Sequence, residues 1–222
     1  MNGAPVALLH PSPRAEWISP PRAALVIVDM QVDFAAADGA LGRLGADLSA
    51  VPAALAAAER LAGAARGAGA AVIFVGLRTS PDTDPPAWAE RQRRRGGGGE
   101  GPLCRVGERG ADFIGPQPRT GDSIVAKTRY SGFFETDLDA RLRASGADTV
   151  VVCGLTTECC VDATACDAFQ LGYHVFVAAD ACAAYEADLH VAALRRMALN
   201  CAIVVSVDQI EAAWGSTSPS RP

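Results

Sequence analysis

The chain has few of the residues that mark metal-rich or membrane proteins. It contains only three histidines, His10, His174 and His190, and they are far apart in sequence. Its strongest apolar run, Ala23 to Val28, falls well short of the roughly 20 residues that a membrane-spanning helix needs. The apolar run Val6 to Leu9 is too short for a signal peptide. We therefore expect no metal centre, no membrane partner and a cytoplasmic location.

The chain also lacks an excess of positive charge. It has 20 Lys and Arg residues against 25 Asp and Glu residues, a formal net charge of −5. A protein that binds nucleic acid usually shows a basic surface, so we expect no nucleic-acid partner. Seven cysteines, an odd number in a chain without a signal peptide, argue against a disulfide framework and for reduced thiols.

The length and composition of the chain are those of one globular domain. Hydrophobic residues make up 50% of its 222 residues, and a domain of this size can bury a large core. We predict an N-terminal extension (1–22), a single domain (23–215) and a short tail (216–222).

Apolar runs alternate with segments of helical periodicity along this domain. Buried β-branched runs alternating with helices predict a mainly parallel sheet covered on both faces, a three-layer αβα sandwich of the Rossmann-like class. The predicted strands are 23–28, 71–77, 123–127, 149–153, 174–178 and 202–205. The predicted helices are 47–68, a segment capped by Thr136 that ends at Gly146, 158–171 and 186–199.

One long segment, Thr79 to Gly121, breaks this alternation. It contains an arginine-rich stretch followed by the four glycines Gly96 to Gly99. Loops of this length are either solvated excursions or substrate lids, and the sequence leaves both open. The glycine run follows no strand and has no Gly-Lys-Ser/Thr ending, which argues against a phosphate-binding loop.

Cys160 lies where a predicted strand turns into a helix. The backbone N–H groups of a first helical turn favour a thiolate and can hold the oxyanion of a tetrahedral intermediate. A buried cysteine that only packs is the alternative.

Two charged residues close other predicted strands. Asp29 follows the first strand and Lys127 ends the third, where parallel strands deliver their residues to one edge of the sheet. Each charge needs a partner if it is buried, and a purely structural ion pair would satisfy that need. Together with Cys160 they form a base, a charge partner and a nucleophile.

Three motifs in this order resemble the isochorismatase-like cysteine hydrolases, which include N-carbamoylsarcosine amidase, ureidoacrylate amidohydrolase, biuret hydrolase and nicotinamidase. They are VIVDMQVDF from Val26, KTRYSGFF from Lys127 followed by TDL, and GLTTECCVDATACDA from Gly154. The resemblance covers about Ala23 to Val207. It implies an amidohydrolase that cleaves a non-peptide C–N bond of a small amide, ureido or N-carbamoyl compound through a thioester.

The resemblance also implies roles for individual residues. Cys160 is the expected nucleophile, Asp29 the general base and Lys127 the third member of a catalytic triad. A cis peptide is expected before Thr156, whose N–H would join that of Cys160 in an oxyanion hole. The neighbouring Cys159 is interpreted as a packing residue rather than a resolving thiol.

Other implications concern the substrate, the cofactor and the assembly. The Asp-x-His metal set of nicotinamidases is absent after the second predicted strand, so no cofactor is expected. Relatives often form homodimers or homotetramers. The residues expected to contact a small amide or ureido substrate are Phe34, Arg78, Arg129, Tyr130, Phe133, Thr157 and Glu158.

The sequence also allows other functions to be considered, and the motifs disfavour most of them. A catalytically silent binding or assembly module fits the same motifs. Isochorismatase proper lacks the cysteine, which disfavours vinyl-ether cleavage. A nucleotide-binding oxidoreductase would need Gly-x-Gly-x-x-Gly after the first strand, where this chain has Met30 to Phe34. A redox enzyme using Cys159 and Cys160 is disfavoured because vicinal cysteines form a strained disulfide.

Overall fold

Six parallel strands form the centre of the structure, a computed structural model that describes residues 9–10, 13–96 and 101–215. Their order across the sheet is β3-β2-β1-β4-β5-β6, and every neighbouring pair is parallel. This confirms the predicted fold class, with a sheet that is entirely rather than mostly parallel. The strands are β1 (Ala23–Val28), β2 (Ala71–Leu77), β3 (Ser123–Lys127), β4 (Thr149–Leu155), β5 (His174–Ala183) and β6 (Ile203–Val205).

Helices cover the sheet in two layers. From β1 through β3, successive strands are added toward one edge of the sheet. From β4 through β6, they are added toward the other edge. Right-handed crossovers therefore place α3 on one face and α6 and α7 on the other. The α8 helix packs against α3. The helices are α1 (Val32–Ala35), α2 (Ala40–Arg43), α3 (Val51–Ala68), α4 (Pro86–Arg94), α5 (Leu138–Ala144), α6 (Asp162–Gln170), α7 (Ala187–Asn200) and α8 (Val207–Gly215).

The two central strands, β1 and β4, are buried along their whole length. They approach each other closely at their carboxyl ends, where Val28 pairs with Gly154. Gly154 has a φ of 132°, and a Cβ placed there would lie 2.0 Å from the Val28 carbonyl oxygen. Only glycine fits this position, which lies directly before the segment that carries Cys160.

Two predicted helix starts differ from the structure by more than one residue. The predicted helix 47–68 begins at Val51, because Asp47 accepts a hydrogen bond from the Ser49 N–H in a turn and Pro52 occupies the first turn of the helix. The helix predicted from Glu158 begins as a π-helical turn, Thr157–Val161, and becomes α-helical only at Asp162.

The predicted N-terminal extension is in part integral to the domain. Short 3₁₀ turns cover Ala15–Ile18 and Pro20–Arg22, and Ile18 is fully buried. The Trp214 indole N–H donates to the Ile18 carbonyl at 2.7 Å. Residues 1–8 and 11–12, and the predicted tail 216–222, lie outside the described residues.

The long segment between β2 and β3 contains regular structure that the sequence pattern did not predict. It holds α4 and a 3₁₀ turn, Arg109–Ala111, and isolated bridges join Gln31 to Phe113 and Thr79 to Arg105. Most of the glycine run lies outside the described residues. Among the helices that the structure describes, none combines the length and apolarity required to cross a bilayer.

Candidate active site

Three strand ends bring the predicted catalytic residues to one edge of the sheet. Asp29 directly follows β1, Lys127 is the last residue of β3, and Cys160 lies in the π-helical turn just beyond β4. Because β2 separates β1 from β3, the long lysine side chain is needed to reach Asp29 across the end of β2. The arrangement meets the rule that parallel sheets build sites beyond their carboxyl ends.

Asp29 is held in a fixed orientation by β2. Its backbone has a φ of 50°, in the left-handed region that few residues other than glycine adopt. Its N–H donates to the Val75 carbonyl at 2.8 Å, and its Oδ1 accepts from the Leu77 N–H at 3.0 Å. The side chain is completely buried. A strained, buried carboxylate at a strand end is a feature that active sites often show.

Lys127 bridges the other two residues. Its Nζ lies 2.6 Å from Asp29 Oδ2 and 3.5 Å from Cys160 Sγ, and it also donates to the Arg129 carbonyl at 2.9 Å. The contact with Asp29 is an ion pair, and the contacts with Cys160 and Arg129 are hydrogen bonds. Burial works to lower the pKa of Lys127, but Asp29 and Cys160 outweigh it and hold the pKa above its ordinary value. The lysine is therefore a fixed positive charge.

The surroundings of Cys160 disfavour its thiolate form. Its hydrogen bond with Cys159, its burial and the Asp29 carboxylate raise the pKa of Cys160 well above the ordinary value, against the opposing effect of Lys127. The helix start alone predicted a thiolate. That prediction omitted the burial of the thiol and the carboxylate beside it, and both disfavour a second negative charge.

The residues around the π-helical turn form two polar pairs. Thr156, which follows a cis peptide bond, donates its hydroxyl to Glu158 Oε1 at 2.8 Å. Thr157 Oγ1 lies 2.8 Å from His190 Nδ1 on α7. Burial lowers the pKa of His190, although Glu158 partly opposes this effect.

Two cavities open onto Cys160. One has a volume of about 290 Å³ and the other of about 570 Å³. Both are lined by Trp88 and Arg91 of α4 and by Leu103 and Tyr130. The long segment between β2 and β3 therefore forms part of the wall around Cys160. A third cavity, of about 590 Å³, lies at the opposite edge of the sheet and touches none of the three catalytic candidates.

Four of the predicted substrate residues line the cavities at Cys160. Phe34 and Glu158 line the larger cavity and Arg129 the smaller, and Tyr130 lines both. Oε2 of Glu158 is buried and has no hydrogen-bond partner among the described residues.

The other three predicted substrate residues line neither of these two cavities. The Arg78 guanidinium donates to the Ala111 carbonyl, and Phe133 packs beside Tyr173. Thr157 is fully buried against His190. Each of these three side chains contacts another part of the protein instead of the cavities.

Two buried polar residues in the first motif were not predicted to have a role. Gln31 donates to the carbonyls of Leu77 and Ala111, at 3.0 and 2.7 Å. Asp33 accepts from the Cys104 N–H at 2.7 Å. Both residues tie the long segment to the end of β1. Their position just after a buried strand, where polar residues need partners, is a signal that the sequence does contain.

A metal centre was not expected here. Within residues 9–10, 13–96 and 101–215, no group of three His, Cys, Asp or Glu side chains is placed to hold a metal ion. All seven cysteines are free thiols.

The family model described as the isochorismatase domain matches residues 23–209. The chain belongs to this family. It is 37% identical to ureidoacrylate amidohydrolase RutB of Serratia proteamaculans (strain 568) over 80% of this chain and 77% of that protein. It is 34% identical to a RutB of Methylobacterium radiotolerans, over 99% of this chain and 88% of that protein.

Several solved structures have the same fold. A cysteine hydrolase from Pseudomonas syringae pv. phaseolicola 1448A superposes with a TM-score of 0.80 at 26% identity, covering 94% of this chain and all of that one. The N-carbamoylsarcosine amidase of Thermoplasma acidophilum gives a TM-score of 0.67 at 32% identity, covering 84% of this chain and 97% of that one. These comparisons confirm the family recognised in the sequence motifs.

Proposed function

We propose that this chain is a cysteine-dependent amidohydrolase that cleaves a non-peptide C–N bond of a small amide, ureido or N-carbamoyl compound. The names of its relatives, ureidoacrylate amidohydrolase and N-carbamoylsarcosine amidase, support the bond type. One observation supports the mechanism: the Lys127 ammonium contacts both the Asp29 carboxylate and the Cys160 sulfur.

The first half-reaction forms a thioester. Asp29 accepts the thiol proton, and the Cys160 sulfur attacks the substrate carbonyl carbon. The carbonyl oxygen becomes an oxyanion, which the backbone N–H groups of Thr156 and Cys160 stabilise. When the C–N bond breaks, the protonated Asp29 returns its proton to the leaving nitrogen, which departs as ammonia or an amine.

The second half-reaction hydrolyses the thioester. Asp29 takes a proton from water, the hydroxide equivalent attacks the thioester carbonyl, and the proton then passes to the departing Cys160 sulfur. Lys127 remains charged throughout. It stabilises whichever of the two neighbours is negative, so that the buried site never holds an unpaired anion.

The segment from Thr79 to Gly121 acts as a cover in this proposal. It supplies Trp88, Arg91 and Leu103 to the cavities that reach Cys160. A covering segment excludes water from the reacting thioester until the leaving group has departed. The active unit is proposed to be a cytoplasmic homodimer or homotetramer.

Ammonia release tests the function directly. The wild-type protein is incubated with biuret, ureidoacrylate, N-carbamoyl amino acids and simple aromatic amides. We expect turnover of at least one ureido or N-carbamoyl compound. Cys160→Ala should reduce it by at least about a thousandfold, because the proposed thioester forms on the Cys160 sulfur.

The adjacent thiol provides a matched control. Cys159→Ala removes a sulfur from the same turn and should retain most of the activity. Turnover that survives Cys160→Ala, or that depends on Cys159 instead, contradicts the proposed mechanism. A wild-type protein inactive on every compound of the panel would favour the silent binding module.

A further inference from the structure

Two thiols that the proposed reaction does not use contact each other between α6 and α7. Cys166 lies in the second turn of α6, and Cys201 directly follows the last residue of α7. Their Sγ atoms are 3.3 Å apart, a hydrogen-bonding distance for sulfur. A disulfide bond is about 2.05 Å long, so the two sulfurs would have to approach by little more than about 1 Å to form one.

A cation accompanies the first of these thiols. Arg196 of α7 pairs with Asp162, and its Nη2 also lies 3.0 Å from Cys166 Sγ. Asp162 and Cys166 are four residues apart on α6 and therefore share one side of the helix. Cys166 is only half-buried. A thiolate formed there would face a guanidinium at the protein surface, which is the environment in which cysteines react with oxidants.

The second thiol has different surroundings. Cys201 is buried, and its burial together with the hydrogen bond to Cys166 raises the pKa of Cys201 to about 12. Cys201 also lines the cavity of about 590 Å³ at the opposite edge of the sheet, with Phe169 and Asn200. Small molecules that enter this cavity can reach the cysteine pair without passing the two cavities at Cys160.

The other five cysteines are less suited to form a disulfide. Cys104, Cys153 and Cys182 are buried, and burial raises the pKa of each of them. Cys159 and Cys160 are consecutive in the sequence, and a disulfide between consecutive cysteines is strained.

We propose that Cys166 and Cys201 form a reversible disulfide within one chain when the protein meets hydrogen peroxide. The Cys166 sulfur attacks one peroxide oxygen and the O–O bond breaks, which leaves a sulfenic acid and one water. The Cys201 sulfur then attacks the sulfenic sulfur, the S–O bond breaks, and the proton of Cys201 departs in a second water. The two thiols lose two electrons, which the peroxide takes up. A small thiol restores both cysteines by thiol–disulfide exchange.

The disulfide would join the helix that begins at the active-site turn to the end of α7. Helix α6 starts at Asp162, directly after the π-helical turn that contains Cys160. The new bond closes the stretch of chain from 166 to 201 into a loop, and it stabilises the folded protein by restricting the unfolded chain. The inference does not depend on the proposed function, because neither thiol takes part in breaking the C–N bond.

Peptide mapping of the folded, full-length protein tests the inference. The reduced protein is treated with one equivalent of hydrogen peroxide, remaining thiols are blocked with N-ethylmaleimide in denaturant, and the chain is digested without reductant. We expect peptides joined through Cys166 and Cys201 before any other cross-link forms, in a chain that still migrates at 22.9 kDa on a non-reducing gel. Dithiothreitol should separate the peptides. The oxidised protein should unfold at a higher urea concentration than the reduced one.

Single variants test the order of the two steps and the role of the cation. Cys201→Ser should leave a sulfenic acid on Cys166 that dimedone labels, whereas Cys166→Ser should leave no such label on Cys201. Arg196→Met should slow the cross-linking about two- to fivefold, the effect of one partly exposed charge contact. Arg195→Met, which removes the preceding arginine of the same helix, should not slow it. Cys159→Ala should form the same cross-link at the wild-type rate.

The mapping of the wild-type protein requires no variant to fold. A cross-link that forms only in urea, a cross-link between two chains, or oxidation of Cys166 without a bond to Cys201 would each overturn the inference. Equal effects of Arg195→Met and Arg196→Met would contradict the part assigned to Arg196. None of these results bears on ammonia release, so the proposed function stands or fails separately.

Discussion

At the scale of single residues, the buried pair of Asp29 and Lys127 links the stability of the protein to the proposed chemistry. Each charge is compensated only by the other and by the groups around them, since both side chains are fully buried. Lys127→Met should therefore cost about 3–5 kcal/mol of unfolding free energy, because it leaves an uncompensated buried carboxylate. Urea denaturation measures this loss, and ammonia release should fall at the same time.

The double variant Asp29→Asn with Lys127→Met separates the two effects. Without either charge, the protein should regain much of the lost stability and none of the activity. If the double variant lost as much stability as the two single variants together, the two charges would not stabilise each other, and this prediction would be wrong.

The protonation of Cys160 gives a prediction about pH. Because its pKa lies above the ordinary value, the thiolate fraction should rise about tenfold for each pH unit below that pKa. In a Cys159→Ala background, where burial and Asp29 still raise the pKa, the rate of alkylation of Cys160 by iodoacetamide should increase from pH 6 to pH 9 without a plateau. Mass spectrometry of the modified peptide measures the rate, and a plateau below pH 7 would contradict the assignment.

At the scale of secondary-structure elements, the approach of β1 to β4 gives the next prediction. Gly154→Ala would place a Cβ 2.0 Å from the Val28 carbonyl and should displace the strand that leads to Cys160. Gly146→Ala provides the control, because Gly146 also has a positive φ, 78°, but a Cβ added there would meet no other atom within 4 Å. Gly146→Ala should cost about 1 kcal/mol in urea denaturation, and Gly154→Ala at least about 2 kcal/mol more.

Strands β1, β2 and β3 have the bounds that the sequence predicted. Buried parallel strands are continuous apolar runs whose ends are set by charged residues or glycines, so their sequences carry the signal directly. The catalytic candidates were predictable for the same reason, because Asp29 and Lys127 close such runs.

Helix α4 was not predictable in this way. It has no buried residue, so the apolar periodicity that indicates a helix is absent. Trp88 and Arg91 of this helix line both cavities at Cys160. The π-helical turn was missed because its hydrogen-bond register leaves no mark in residue type. Arg78 and Phe133 were expected at the substrate, but the direction of each side chain depends on contacts with distant segments, Ala111 and Tyr173.

At the scale of the whole molecule, the predicted homodimer or homotetramer is untested. The outer surface of α7 carries exposed apolar side chains, Leu189, Val191 and Leu199, and Leu199 is 68% exposed. Light scattering after size-exclusion chromatography should give a mass of two or four times the 22.9 kDa of one chain. Leu199→Lys should shift the mass toward the monomer, whereas Val106→Lys, equally exposed in the long segment, should not. A wild-type mass of one chain at high concentration would contradict assembly.

The connection between β2 and β3 contains α4 and is anchored to the first motif at Gln31 and Asp33. None of the three groups proposed to break the bond resides in it. The segment between β2 and β3 can thus be replaced, by evolution or by design, as long as its contacts with Gln31 and Asp33 are kept. Such a replacement would change which substrate is bound without changing Asp29, Lys127 or Cys160.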